Sequence, residues 1–336
     1  MHHLLLSALL ALTAITAHSQ PKPPYQYFRI GSPQDVAAQP KAGFALMGGG
    51  TDLDDAFRWL CNRANGGDFL ILRAAGDDDY NPYVLGLQTQ PQCKLNSVAT
   101  LILPNREAAN DPFVASTIRN AEAIFIAGGD QANYTRNWTG TPVQREINAA
   151  IERGVPLGGT SAGLAVMGEW AYSAEGDKPD DPNLSSKDVL MNPLNPRITL
   201  VHNFLEIPIL KGIITDSHFV KRNRIGRLLV FLARIQQRLG DESIHGLGID
   251  EKTAILLEPN GEGRVVGSGT VTLIWPYAPA PKILADKPLD HANFSQQIVK
   301  AGGAINVRKW CCGSGPNTLI VEKGHLRNFD DKGPVR

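Results

Sequence analysis

The chain has 336 residues, 43% of them hydrophobic and 20% charged, a composition that excludes disorder and fibrous repeats and supplies one large domain or two small ones. Its 33 basic and 33 acidic side chains cancel, so no whole-molecule field attracts nucleic acid or an anionic membrane, and electrostatic recognition has to be local.

Residues 1–20 differ from the rest: Met1-His2-His3, an apolar run from Leu4 to Ala17, then Ala17-His18-Ser19 before Gln20. This is the pattern of a secretory signal with a small-x-small cleavage site. The run is too short for the ~30 Å of a hydrocarbon core, so export rather than anchoring is expected, to an extracellular or periplasmic location. Export makes the four cysteines disulfide candidates, with three pairings open. Cys61 with Cys93 is one workable pair, whereas Cys311 and Cys312 are adjacent, a poor geometry for bonding to each other. With no CxxC or HExxH spacing, neither a metal site nor a cofactor is expected.

After a Pro-rich leader (Pro21 to Pro24), short apolar runs alternate with amphipathic segments, the pattern of a parallel sheet flanked by helices. Phe44 to Met47, Phe69 to Arg73, Thr100 to Leu103, Ala123 to Ala127 and Pro156 to Gly158 read as buried strands. Leu53 to Arg63, Phe113 to Asn120 and Gln144 to Arg153 read as helices between them, which makes the class doubly wound α/β. Asp177 to Pro196, rich in Pro, Asp and Asn, reads as a surface excursion. Beyond it come a strand at Ile213 to Thr215, a long helix from Phe219 to Leu239, and strands at Thr253 to Leu257, Arg264 to Ser268 and Val271 to Ile274. Asn260-Gly261 marks a turn that needs positive φ. No flexible linker and no internal repeat interrupts residues 21–336, which are therefore expected to form a single domain.

Chemistry concentrates in Gly158-Gly-Thr-Ser-Ala-Gly163, which follows a strand and opens the apolar helix start Leu164 to Met167. A sharp strand-to-helix turn exposes the serine hydroxyl above a sheet, and the glycines at 159 and 163 give neighbouring elements room. A bland Gly-rich turn or a phosphate-binding loop is the competing reading. A serine needs a base, and His218 is the best placed of the histidines, since it follows a strand and precedes a helix; His202, His245, His291 and His325 fit surface or core positions equally well. Lys221, Arg222, Arg224, Arg227 and Arg234 follow His218, with Asp216 just before it. Planar guanidiniums there suit carboxylate recognition or a local ion-pair scaffold.

Phe125-Ile-Ala-Gly-Gly-Asp-Gln131, Gly159-Thr-Ser-Ala-Gly163 and Asp216-Ser-His-Phe-Val-Lys-Arg-Asn-Arg-Ile-Gly-Arg-Leu228 resemble, in order and spacing, three signatures of the cyanophycinases and their relatives, the serine peptidases related to dipeptidase E. The likeness runs from about Phe44 to Ile274. It implies a three-layer α/β/α sandwich with a mostly parallel central sheet, of the class I glutamine-amidotransferase-like kind, in which Ser161 stands in for the usual cysteine and His218 is the base. The resemblance also implies an oxyanion hole from the backbone amides of Ala162 and Gly129. It puts Gln131 and Asp216 in the substrate cleft, with Arg222, Arg224 and Arg227 matching the family's arginines. Ser217 departs from the pattern, since many cyanophycinases carry Gln there. For the third member of the triad, Asp188 in Ser185-Ser-Lys-Asp-Val-Leu190 resembles a Ser-x-acidic-x-Leu element of the secreted branch and is preferred; Glu175 and Asp177 are the alternatives. Gly48-Gly-Gly-Thr-Asp52 lacks the spacing of a dinucleotide loop and the Lys of a P-loop, so it is read as a structural turn.

The function expected from this resemblance is that of a secreted serine exopeptidase acting on cyanophycin, a polyaspartate carrying arginine on each side chain, or on β-aspartyl peptides. The partner is then a peptide or polymer substrate rather than nucleic acid or membrane, and a homodimer stays open. An α-aspartyl dipeptidase, an α/β-hydrolase esterase and a non-catalytic binding protein are the rival readings. An esterase fits Gly159-x-Ser161-x-Gly163 but lacks an HGGG-type loop.

Overall fold

The computed structural model describes residues 22–89, 93–178, 180–181, 183–240, 244–310 and 316–328. The expected leader and the Cys311-Cys312 pair lie outside these residues. Among the described residues no helix is long and apolar enough to cross a membrane.

Six strands come first: β1 (Gln26–Gly31), β2 (Phe44–Met47), β3 (Asp68–Arg73), β4 (Ser97–Ile102), β5 (Ala123–Ile126) and β6 (Leu157–Thr160). They lie in the order β1-β4-β3-β5-β6-β2, the inner five parallel and β1 antiparallel at the edge. Strands covered on both faces are apolar at every position, and β2 shows why: Phe44 and Leu46 enter one core while Ala45 and Met47 enter the other. The helix Asp54–Ala64 packs into the second of these cores and is tied through Cys61 to Cys93 by a disulfide. Helices Pro112–Arg119, Gln131–Trp138 and Pro142–Glu152 fill the first.

The chain then adds β7 (Trp170–Tyr172), β8 (Leu200–His202), β9 (Ile213–Asp216), β10 (His245–Ile249), β11 (Thr253–Leu257), β12 (Glu262–Gly267), β13 (Thr270–Pro276), β14 (Ala292–Lys300), β15 (Ala304–Asn306), β16 (Asn317–Glu322) and β17 (His325–Asn328). Of these, β11, β12 and β15 extend the first sheet beyond β2 as antiparallel strands. The remainder form a second sheet, β17-β16-β14-β13-β10-β9-β7-β8, in which β7, β9 and β10 are parallel. The fold is α/β as expected, and the second sheet is an elaboration that the sequence pattern did not reveal. One core is shared by both sheets: Leu247, Ile249, Val271 and Leu273 join Leu46, Leu70 and Ile124 in it. The far face of the second sheet is covered by the helix Ile225–Leu239.

That helix begins six residues later than the apolar pattern predicts. His218 (φ 48°) and Asn223 (φ 47°) are left-handed, a conformation that breaks helical continuity. Arg222 therefore stands in a turn, and Arg224 is the residue capping the helix rather than part of it. The excursion from Asp177 to Pro196 is drawn back to the body by Arg197, which donates to Asp177 at 2.9 Å and to Asp181 at 2.5 Å.

Candidate active site

Ser161 joins β6 to the short helix Ala162–Ala165 with φ 52° and ψ −112°, and its N–H donates to Met47 O at 3.1 Å. The flanking glycines are dictated by crowding. A Cβ on Gly163 would stand 2.0 Å from Ile126 O, and one on Gly159 would stand 2.7 Å from the Gly163 carbonyl. The turn therefore closes only with glycine at both positions.

His218 reaches Ser161 from the other sheet. Its Nε2 is 2.7 Å from Ser161 Oγ, and its Nδ1 is 2.7 Å from Glu251 Oε1. Glu251 lies on the Asp250–Lys252 turn, where the chain leaves β10 in the second sheet for β11 in the first. Backbone bonds lock this seam: His218 N–H donates to Gly48 O at 2.8 Å, and Lys252 N–H donates to Gly49 O at 2.9 Å. Gly48–Gly50 thus form the wall behind the pair rather than a nucleotide loop. At Gly49 (φ +93°), a Cβ would come within 2.6 Å of His218 Nε2.

Burial pushes the His218 imidazole below the ordinary histidine range; the hydrogen bond to Glu251 opposes this shift, and the charges of Arg222 and Arg224 add to it. Hydrogen bonding to His218, reinforced by Lys221 and Arg222, holds the Glu251 carboxyl below its ordinary range. The ring is therefore neutral at pH 7 and able to accept a proton at Nε2, while an ionised carboxylate faces Nδ1.

The expected acids are elsewhere, and this corrects the sequence reading. Asp188 is exposed in the first turn of the helix Ser186–Met191, where its N–H is capped by Ser185. Glu175 accepts from Thr135 Oγ1 at 2.9 Å, and Asp177 accepts from Tyr172 and Arg197. The histidine alternatives also stand apart from Ser161. His202 packs at a tilt against Trp170 and His245 stacks on Trp310, while His291 and His325 are exposed.

A cleft of about 530 Å³ opens beside the serine; Gly129, Gln131, Arg222, Arg224 and Arg227 line it. The Gly128–Gly129 turn after β5 abuts the nucleophile: a Cβ on Gly128 would lie 3.4 Å from Ser161 Cβ. Gln131 Nε2 donates to Tyr172 O at 3.4 Å. Asp216 does not line the cleft as expected. It is 2% exposed and held by Arg227 through Nε (2.8 Å) and Nη2 and by Arg224 Nη1 (3.3 Å). Arg224 and Arg227 therefore build an ion-pair hub that forms one wall, and burial together with the neighbouring arginines lowers the Arg224 guanidinium to about 10. Ser217 contributes to the hub, its carbonyl accepting from Arg224 at 2.8 Å. Arg222 is exposed and donates to Asn183, which makes it a solvent-facing cation in the cleft lining.

An elbow serine against a neutral histidine backed by a carboxylate, at the carboxyl edge of an α/β fold, is the arrangement of a serine hydrolase. Residues 45–262 match peptidase family S51; the chain belongs to that family and is a serine-type peptidase. It is similar to the cyanophycinase of Geminocystis herdmanii, 29% identical over 256 residues covering 74% of this chain and 85% of that one. It is also similar to the cyanophycinase of Trichormus variabilis, 31% identical over 215 residues covering 62% of this chain and 65% of its relative. The crystal structure of a peptidase from an acI-B1 Actinobacterium shares the fold, with a TM-score of 0.51 and 21% identity over 80% of this chain and 98% of that one.

Proposed function

We propose that this peptidase hydrolyses cyanophycin or related β-aspartyl peptides through an acyl-enzyme formed on Ser161, with His218 as general base and Glu251 as the acid that orients it. The observation that carries the reading is the unbroken relay from Ser161 Oγ through His218 to Glu251, 2.7 Å at each step. Ser161 Oγ adds to the scissile carbonyl carbon as its proton passes to His218 Nε2. The C–N bond then breaks and the leaving amine takes that proton. Water, deprotonated by His218, attacks the ester, and the acyl–oxygen bond breaks to return the serine and release a carboxylate. The backbone N–H groups of Ala162 and Gly129 serve as the oxyanion donors.

The cleft supports the substrate class. Asp130, Glu175 and Asp177 line it together with Arg136, Lys178 and Arg222, and a β-aspartyl-arginine unit offers a guanidinium to acids and a carboxylate to bases. The relatives named cyanophycinase support the same polymer. An insoluble polymer calls for export, which the apolar leader and the Cys61–Cys93 disulfide favour. N-terminal sequencing of the mature protein from its compartment tests that part.

The deciding experiment incubates purified protein with cyanophycin, β-Asp-Arg, α-aspartyl dipeptides and p-nitrophenyl esters, with Ser161→Ala alongside. Release of soluble dipeptides from cyanophycin, abolished in the variant, is the expected result. Cleavage confined to α-aspartyl dipeptides would transfer the assignment to that class, and cleavage of esters alone would make the protein an esterase.

A further inference from the structure

The Gly128–Gly129 peptide has an unusual tether. Tyr134 sits in the first turn of the helix Gln131–Trp138, 1% exposed, with its ring 4.5 Å from that of Trp138. Its hydroxyl reaches back over the turn and approaches two carbonyl oxygens, Ala127 O at 2.8 Å and Gly128 O at 3.0 Å. Gly129 (φ +140°) has Tyr134 Oη as the nearest neighbour of an added Cβ, at 3.6 Å.

Two physical facts give this contact a consequence. A trans peptide is planar, with its C=O and N–H pointing in opposite directions. A donor that fixes Gly128 O on the helix side therefore presents Gly129 N–H on the opposite side. Glycines also leave such a peptide plane free to rotate, because no Cβ restricts it. The pair that allows backbone to approach Ser161 so closely thus has no steric means of holding its own N–H in place, and the tyrosine hydroxyl supplies one.

We infer that Tyr134 is a positioning residue for hydrolysis, orienting the Gly129 N–H toward the oxyanion by holding the carbonyl of the same peptide. This rests on the reading of Ser161 and His218 as the catalytic pair and of Gly129 N–H as an oxyanion donor. Tyr134 touches no reacting atom. Its effect falls on the step in which negative charge develops, and ground-state binding is untouched. Burial raises the phenol well above the ordinary tyrosine range, so the hydroxyl remains protonated, and a donor, at the neutral pH of the assay.

The test is Tyr134→Phe, which keeps the ring and its contact with Trp138. It is compared with wild type for kcat and KM on cyanophycin, for melting temperature, and for affinity toward β-aspartyl-arginine whose aspartyl α-carboxyl is reduced to the aldehyde, a group that Ser161 converts to a tetrahedral adduct. The expected result is a fall in kcat of roughly 10- to 100-fold and an equal loss of aldehyde affinity, with KM held within about twofold. Gly129→Ala, which strains the same peptide at positive φ, should reproduce that signature. Unchanged kcat in Tyr134→Phe overturns the inference, as does a loss of cooperative melting or a parallel loss in KM, either of which assigns the hydroxyl to the fold. Ser161→Ala separates this outcome from failure of the underlying reading: activity surviving there sinks the catalytic pair itself, whereas activity lost there but intact in Tyr134→Phe sinks only the tether.

Discussion

Glu251 and His218 are 33 residues apart in the chain, yet their side chains meet at 2.7 Å. The register of the second sheet explains this. Gly248 of β10 pairs with Asp216 of the parallel strand β9, so the residues that follow the two strands emerge side by side. His218 is the second residue after Asp216, and Glu251 is the third after Gly248.

The first prediction concerns that acid. Glu251→Gln should lower kcat by roughly a hundred- to ten-thousandfold with little change in melting temperature, because an amide cannot stabilise the imidazolium or fix the productive tautomer. Asp188→Ala should match wild type. Steady-state kinetics on the four variants Glu251→Gln, Asp188→Ala, Glu175→Ala and Asp177→Ala check the ranking, and full activity in Glu251→Gln removes it from the triad.

The acid limb of the pH profile follows from His218. Hydrolysis needs the neutral ring, and because burial and the neighbouring arginines depress its pKa, kcat/KM should persist below the pH at which a free imidazole protonates. Arg222→Gln removes one of the charges responsible and should move this limb to higher pH. A limb that shifts to lower pH in the variant, or stays where it is, contradicts the electrostatic account.

Arg224, Arg227 and Asp216 should behave as structure. Asp216→Ala leaves two buried guanidiniums unpaired and is expected to cost about 3–5 kcal/mol, with activity on polymer and on small esters lost together. Arg222→Ala should leave chemical denaturation unchanged while raising KM for β-aspartyl-arginine substrates and sparing a small ester. Denaturant titration and paired kinetics separate the two roles.

A second pH effect lies far from the site. The carboxyl oxygens of Asp35, Asp68 and Glu122 lie within 4.8 Å of one another, and burial, with repulsion from Asp68 and Asp35, pushes Glu122 up to about 7. A carboxyl whose folded pKa exceeds its unfolded value binds more protons when folded. Its contribution to stability is therefore complete below the ordinary carboxylate range and is lost as pH rises toward 7. Glu122→Gln should raise the melting temperature at pH 8 and leave it unchanged at pH 4, as read by thermal scans across that range.

The strand-turn-helix signature of Ser161 is local, written in glycines whose neighbours leave no space, and so it could be read from sequence. The parallel inner strands were legible for a similar reason, since burial on both faces leaves an unbroken apolar run. Glu251 was not, because a Glu in a polar turn carries no signal until β10 is known to pair with β9. The helix start at Ile225 was missed because nothing in Phe219–Arg224 announces that His218 and Asn223 are left-handed. The strand β14, with its alternating burial over Ala292–Lys300, lies past the span where the apolar runs are continuous. Asp216 was expected in the cleft from the family resemblance, and its withdrawal into the interior was not legible because the guanidiniums that hold it there, Arg224 and Arg227, come 8 and 11 residues later and reach it only through the fold.

Ser161 and His218 both sit at positive φ, 52° and 48°, where a side chain costs of order 1–3 kcal/mol per residue and glycine costs almost nothing. The most stable relative of this sequence is therefore not the most active one: Ser161→Gly should melt at a higher temperature than the native chain while hydrolysing nothing. A laboratory selection for heat resistance, run without an activity screen, would discard the nucleophile among its first changes.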